Sequence, residues 1–138
     1  MDSKTKAPLT IYKASAGSGK TFTLTVEYIS LLIANPDSFR HILAVTFTNK
    51  ATEEMKMRIL AQLYGISRGL KSSEGYLMAV SRNTGLPTNT IRTEAAKALH
   101  SLLHNYSYFR VETIDSFFQR IFRNLPTNWT LRPIFAST

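Results

Sequence analysis

The sequence predicts an α/β fold, a parallel sheet flanked by helices, and three observations carry that expectation. Ile42-Leu43-Ala44-Val45-Thr46-Phe47 is a continuous apolar run, the pattern of a strand covered on both faces, and such strands belong mainly to parallel sheets. A shorter run with β-branched and aromatic character, Leu9-Thr10-Ile11-Tyr12, precedes it, separated by a glycine-rich turn and a segment dense in apolar residues. Strand, helix and strand in that order read as one right-handed crossover unit. The composition agrees: 138 residues, 43% hydrophobic and 19% charged, describe a globular chain able to enclose a core and exclude a disordered tail or a fibre.

Each element follows from its residues. Residues 1 to 8 are polar and end in Pro8, and Leu9–Tyr12 is the first strand. From Lys20 to Ala34 the chain carries Phe22, Leu24, Val26, Tyr28, Ile29, Leu31, Leu32 and Ile33, a largely buried helix that Asn35-Pro36 stops. Ile42–Phe47 is the second strand. Asn49 to Tyr64 reads as a helix in which Thr48 or Asn49 can cap, Glu53 and Glu54 sit near the positive end, and Met55, Ile59 and Leu63 recur every four residues. Gly65 and Gly69 then mark looser chain. A short helix over 73–82 and a longer one over Thr88–Tyr106, with Ile91, Ala95, Leu99, Leu102 and Leu103 on one stripe, form a helical insertion at about 65–106. Tyr108 to Ile114 returns as a strand, and Asp115 caps a last helix. Phe118, Ile121, Phe122 and Leu125 face one way on it, with Phe118 and Phe122 read as core, while Arg120, Arg123 and Asn124 face another. Periodicity ends at Pro126, so residues 1–125 form one domain and 126–138 an irregular tail.

Charge and cysteine content narrow the function. Lys and Arg number 17 against 9 Asp and Glu, a formal net charge of +8, which favours an acidic partner, nucleic acid ahead of a membrane surface. The absence of cysteine excludes a disulfide scaffold, a thiolate metal site and a cysteine nucleophile together. The longest mostly apolar stretch, Phe22 to Ala34, is interrupted by Glu27 and too short to span a bilayer, and Asp2, Lys4 and Lys6 precede no apolar signal core. No membrane role and a cytoplasmic location are expected. His100 and His104 stand four apart, but Lys97 shares their face and no third ligand is evident, so a solvated polar face is the expected reading.

The chemistry resides in Ala14-Ser15-Ala16-Gly17-Ser18-Gly19-Lys20-Thr21, which matches the phosphate-binding loop G-x-x-x-x-G-K-[ST] except that Ala14 replaces the first glycine. A strand feeds it and a helix leaves it, so backbone N–H groups around Gly17, Ser18 and Gly19 can wrap a phosphate at the positive helix end. The small residues Ala14, Ala16, Gly17 and Gly19 let the backbone come close to phosphate oxygens. Ala16 through Thr21 are thus the expected nucleotide-binding residues. Lys20 reaches the β and γ phosphates as the catalytic residue, and the Thr21 hydroxyl takes Mg²⁺.

Three segments in order, Ala16-Gly17-Ser18-Gly19-Lys20-Thr21, Thr46-Phe47-Thr48-Asn49-Lys50-Ala51 followed by Glu54-Met55, and Thr113-Ile114-Asp115-Ser116-Phe117, resemble motifs I, Ia and Ib of superfamily 1 DNA helicases of the UvrD/Rep type. The phrase I-D-S-F-F-Q-R at 114–120 and the helical segment before it look most like the RecB/AddA branch, the helicase subunits of exonuclease V type recombination machines. The resemblance covers about residues 9 to 125. It implies an incomplete RecA-like P-loop NTPase sheet, ATP and Mg²⁺ as cofactors, other helicase and nuclease subunits as partners, and work in DNA repair and recombination. It also implies single-stranded DNA contacts at Thr46, Phe47, Thr48, Asn49 and Thr113. Such contacts make physical sense, because hydroxyls and an amide can bond phosphate oxygens and Phe47 can offer a face to a base without reading it. Helix capping is the competing use of Thr48 and Asn49. Asp115 stands where the family commonly has His and would repel phosphate, so it is not carried over.

An ATPase of this class also needs a carboxylate to hold Mg²⁺, another to activate water, and an arginine to meet charge developing on the γ-phosphate. Only the cradle is assured here. Val111-Glu112 is no acidic Walker B end, because Arg110 breaks the apolar run and no second carboxylate follows. In the family these groups come later in the sequence, so the chain alone is expected to bind nucleotide weakly and hydrolyse none. The family's loop-bearing strand is central in its sheet, so this chain is expected to leave an edge unpaired and either to be marginally stable or to self-associate through that edge. The alternative function is a stand-alone module that binds single-stranded DNA or a partner without ATP turnover. A small P-loop kinase would need a substrate-side arginine or acidic base after a third strand, and none is placed for it.

Overall fold

Parallel pairing of three short strands organises the chain. The computed structural model of the protein describes residues 13–14 and 18–124. The expected strand Leu9–Tyr12, the cradle residues Ala16 and Gly17, Leu125 and the tail 126–138 lie outside the described residues. β1 (Lys13–Ala14) pairs with β2 (Leu43–Thr46), and β2 with β3 (Arg110–Thr113), both in parallel, in the order β1-β2-β3. α1 (Ser18–Ala34) joins β1 to β2. Between β2 and β3 lie α2 (Asn49–Arg68), α3 (Glu74–Thr84) and α4 (Thr88–His104), and α5 (Ile114–Arg123) follows β3 directly. Among the described residues β1 stands at one end of the sheet with β2 as its neighbour.

The apolar run that predicted a doubly covered strand is buried along its whole length in β2. Because side chains alternate along a strand, Leu43 and Val45 enter a small cluster with Phe117, Ile114 and Phe118 on the α5 side. Ala44 turns to the opposite face, into the main core shared by α1, α2, α3 and α4. That core is built from fully buried Tyr28, Ile29 and Leu32 of α1, Met55, Ile59 and Leu63 of α2, and Ile91 and Leu102 of α4. The segment 65–106 therefore packs its helices against α1 and α2 around one shared core.

Several local expectations change. Gly65 does not end a helix: it is buried inside α2, where its missing side chain makes room for Ser73, and the helix continues to Gly69. Gly69 then adopts φ 70°, the left-handed cap conformation that glycine tolerates without steric cost. Leu103 is exposed, and Ala98 takes its place on the buried stripe of α4. The last helix buries Phe117, whereas Phe118 and Phe122 stack on each other in half-buried positions and Ile121 is exposed. Its cap is Thr113, whose hydroxyl accepts from the Ser116 N–H at 3.1 Å, because β3 runs into the helix two residues earlier than expected; Asp115 lies in the first turn. Thr48 caps α2 in the same way, accepting from the Ala51 N–H at 3.0 Å.

The Tyr28 hydroxyl is buried with no hydrogen-bond partner among the described residues, and this burial raises its pKa far above the usual 10.0. A buried unpaired hydroxyl costs about 1–3 kcal/mol. Tyr28→Phe is therefore expected to raise the melting temperature. Because an unfolded tyrosine ionises near pH 10 and the folded one resists, stability from this residue is complete below that pH and lost above it; the phenylalanine variant should lose less in alkaline melts. Two of the helical glycines, Gly65 and Gly75, give opposite expectations. Gly65→Ala drives a methyl into Ser73 and should destabilise by about 1–3 kcal/mol, whereas Gly75→Ala meets open space on an exposed helix and should stabilise slightly, both read by urea denaturation.

Candidate functional site

Register places the functional segments side by side. Ala14 pairs with Thr46, and Thr46 with Thr113, so the last residues of three parallel strands stand abreast, about 4.8 Å between neighbours. A helix starts shortly after each of them: α1 at Ser18, α2 at Asn49 and α5 at Ile114. Three helix N-termini thus meet the same edge of the sheet, each with backbone N–H groups that its own helix cannot satisfy.

The first turn of α1 carries the described part of the cradle, Ser18, Gly19, Lys20 and Thr21. Gly19 and Lys20 are exposed, and that turn holds no carboxylate to compete with an anion. A methyl added at Gly19 would meet nothing within 4 Å among the described residues. Further along, Thr23 donates to the Gly19 carbonyl at 3.0 Å and buried Thr25 to the Thr21 carbonyl at 2.7 Å, so both hydroxyls are taken up by helix carbonyls. Thr25 also contacts the Met55 Sδ at 3.6 Å, a direct link from α1 to α2.

The β2–α2 junction divides its residues by direction. Thr46, 1% exposed, points inward: its hydroxyl lies 2.6 Å from that of Thr52, 3.3 Å from the Thr48 carbonyl and 3.4 Å from the Glu112 carbonyl. Either threonine hydroxyl can donate to the other, and Thr52 also lies 3.2 Å from the Thr48 carbonyl, so the two hydroxyls share a closed set of internal acceptors. Thr46 is therefore a strut of the turn, and its side chain is not presented to a ligand as expected. Phe47 is the reverse, 54% exposed, and Thr48, Asn49 and Lys50 are exposed with it. Thr52 was missed in the sequence, although it falls on the stripe of Met55 and Ile59 and a hydroxyl there demands a partner.

At the third strand end, Thr113 is half-buried and committed to capping α5. Glu112 is held by Arg120 at 3.0 Å and approached by Arg110 at 3.9 Å, so it is engaged in ion pairs beside α5. His104 Nδ1 lies 3.0 Å from the His100 carbonyl, and no group of metal-holding side chains occurs among the described residues. No described helix is long and apolar enough to cross a membrane.

A family model described as the UvrD/REP helicase N-terminal domain matches residues 2–136. The chain belongs to the UvrD/Rep helicase family. Within it, the chain is 36% identical over 103 residues to RecBCD enzyme subunit RecB of Borreliella burgdorferi, covering 72% of this chain and 9% of that protein. It is 38% identical over 96 residues to the ATP-dependent DNA helicase Rep of Salmonella typhimurium, 70% of this chain and 13% of that one. The ATP-dependent DNA helicase UvrD1 of Mycobacterium bovis is 34% identical over 119 residues, 86% of this chain and 14% of that one. The chain thus spans about a tenth of the length of the family members it matches. No solved structure matches it significantly.

The single buried residue of α5, Phe117, contributes about 1.5–3 kcal/mol, so a cap worth about 1 kcal/mol is a large share of what holds this helix to the sheet. Thr113→Ala should accelerate amide exchange in α5 at least fivefold while leaving α1 to α4 protected, as read by hydrogen exchange.

Proposed function

We propose that this chain is the nucleotide-gripping and DNA-gripping part of an ATP-dependent DNA helicase that moves along single-stranded DNA, of the kind that works in a helicase and nuclease complex for recombination and repair in the cytoplasm. The observation that carries this reading is the shared register of Ala14, Thr46 and Thr113, which puts the ends of β1 and β2, with the helices α1 and α2 that follow them, at one end of the sheet. Ligands of parallel α/β sheets gather at that edge. A domain with RecA-like layering would use it for both nucleotide and strand.

ATP with Mg²⁺ fits the described residues. The first-turn N–H groups of α1 would receive phosphate oxygens, Lys20 would neutralise the β and γ phosphates, and Thr21 would give its hydroxyl to the metal. Ala16, Gly17 and Ser18 would form the preceding part of the cradle. When bound, the metal and triphosphate supply the electrophilic phosphorus for hydrolysis. On the DNA side, Phe47 would stack on a base and Asn49, with the α2 N-terminus and Lys50, would hold phosphate. Thr48 and Thr113 would serve by their position at the helix starts, and Thr46 as the internal strut between them. The carboxylates and arginine of hydrolysis are not among these residues, so the chain by itself would bind ATP without turning it over. The second side of β1 would be covered by a further strand of the motor domain, or by a second copy of the isolated chain.

Lys20→Ala is expected to weaken binding of a fluorescent ATP analogue with Mg²⁺ at least tenfold while leaving affinity for an oligothymidylate within twofold. Nucleotide binding unchanged by Lys20→Ala, or absent in the unaltered chain while the oligothymidylate still binds, would favour a binding module without an ATP cycle.

A further inference from the structure

The opposite edge of the sheet carries a second cluster with nucleic-acid chemistry. The 3-10 turn Tyr106–Tyr108 enters β3 at its amino end, and the turn Ser38–His41 enters β2 at the same end. Two exposed tyrosines project here, Tyr106 at 44% and Tyr108 at 46%. Each is paired with a cation from another element: the Arg40 guanidinium lies 4.6 Å from the Tyr108 ring centre, and the Lys56 ammonium 5.4 Å from that of Tyr106. The buried Phe109 ring backs the second pair, 5.7 Å from Tyr106 and 6.0 Å from Lys56, and follows Tyr108 directly in the chain. Of the nearby carboxylates, Asp37 accepts from the Ser101 hydroxyl at 2.6 Å and Glu112 is held by Arg120, so neither cancels Arg40 or Lys56 through an ion pair with it.

We propose that this patch, Arg40, Lys56, Tyr106 and Tyr108, is a second contact for single-stranded nucleic acid, distinct from the strand-end site at Phe47 and Asn49. Alternating aromatic faces and fixed cations are the combination that holds a single strand without reading its sequence: the rings stack on bases, and the cations meet the phosphates. A cation on one ring face fixes each tyrosine before binding, which lowers the entropy lost when a base covers the other face. Tyr106 and Tyr108 are two residues apart, at most about 7 Å along the chain, so both rings are within reach of neighbouring nucleotides of one strand. An acidic protein would satisfy the two charges but would leave the flat faces of two tyrosines without a planar partner.

The test uses the full chain and an oligothymidylate that carries a photoreactive uracil. Crosslinks mapped by mass spectrometry should fall on Tyr106 or Tyr108 as well as on Phe47. Tyr106→Ala with Tyr108→Ala should abolish the first set and keep the second, and a far-ultraviolet melt confirms folding. Should that double variant fail to fold, Arg40→Gln with Lys56→Gln serves instead. That pair should lower the slope of log affinity against log salt by about 1.4, the value for two phosphate contacts on a single strand. An abasic oligomer of the same length should bind at least tenfold more weakly at this patch. Crosslinks confined to Phe47, an unchanged salt slope, or equal binding of the abasic oligomer or of polyglutamate would overturn the proposal. The loss of Phe47 crosslinks with those at Tyr106 retained would instead count against the strand-end site alone.

Discussion

Parallel hydrogen bonding of β2 between β1 and β3 is the constraint on which the rest of the molecule depends. Parallel strands all point the same way, so every helix that follows a strand begins at the same end of the sheet, whichever face it then covers. In antiparallel pairing, successive strand ends would alternate between edges and the loop after β1 would face away from the turn after β2. Here one edge collects the exposed Lys20, Phe47 and Asn49, together with the N-termini of α1, α2 and α5. The burial of β2 on both faces holds that arrangement rigid, since sliding it by one residue would exchange Leu43 and Val45 with Ala44 and Thr46 between two differently shaped cores.

Threonines do much of the work at the strand-to-helix joints. Thr48 and Thr113 satisfy helix N–H groups, Thr46 and Thr52 bond each other across the turn, and Thr25 returns to a carbonyl of its own helix. Buried hydroxyls cost free energy unless paired, and each of these is paired. The same residue types could serve phosphate, and direction alone separates the uses: Thr46 is enclosed, while the ring that follows it stands in solvent.

Charge is distributed by local pairing rather than by a single basic face. Glu94 meets Lys97 at 3.2 Å, Glu112 meets Arg120, and Asp37 takes the Ser101 hydroxyl. Among the other cations, Lys20 and Lys50 stand at the helix starts and Arg40 and Lys56 toward the opposite end of the strands, with Arg68, Lys71, Arg82, Arg92 and Arg123 exposed elsewhere.

The sequence by itself determined the order of elements, the doubly buried second strand, the helix ended by Asn35-Pro36 and the three motif segments at strand ends. These are local: an apolar run, a 3.6-residue period and a proline act within a few residues, so no distant contact is needed to read them. Only the tertiary structure decided what depends on a partner far along the chain. Gly65 reads as a break until Ser73 is seen against it, Phe117 goes unnoticed until it is found buried against Leu43 and Val45 with Phe118 beside it, and Asp115 reads as a cap until β3 delivers Thr113 to that position. Likewise Thr46 and Phe47 are equal candidates in the sequence, and the strand's pleat, placed by its pairing with β3, turns one into the core and the other to solvent.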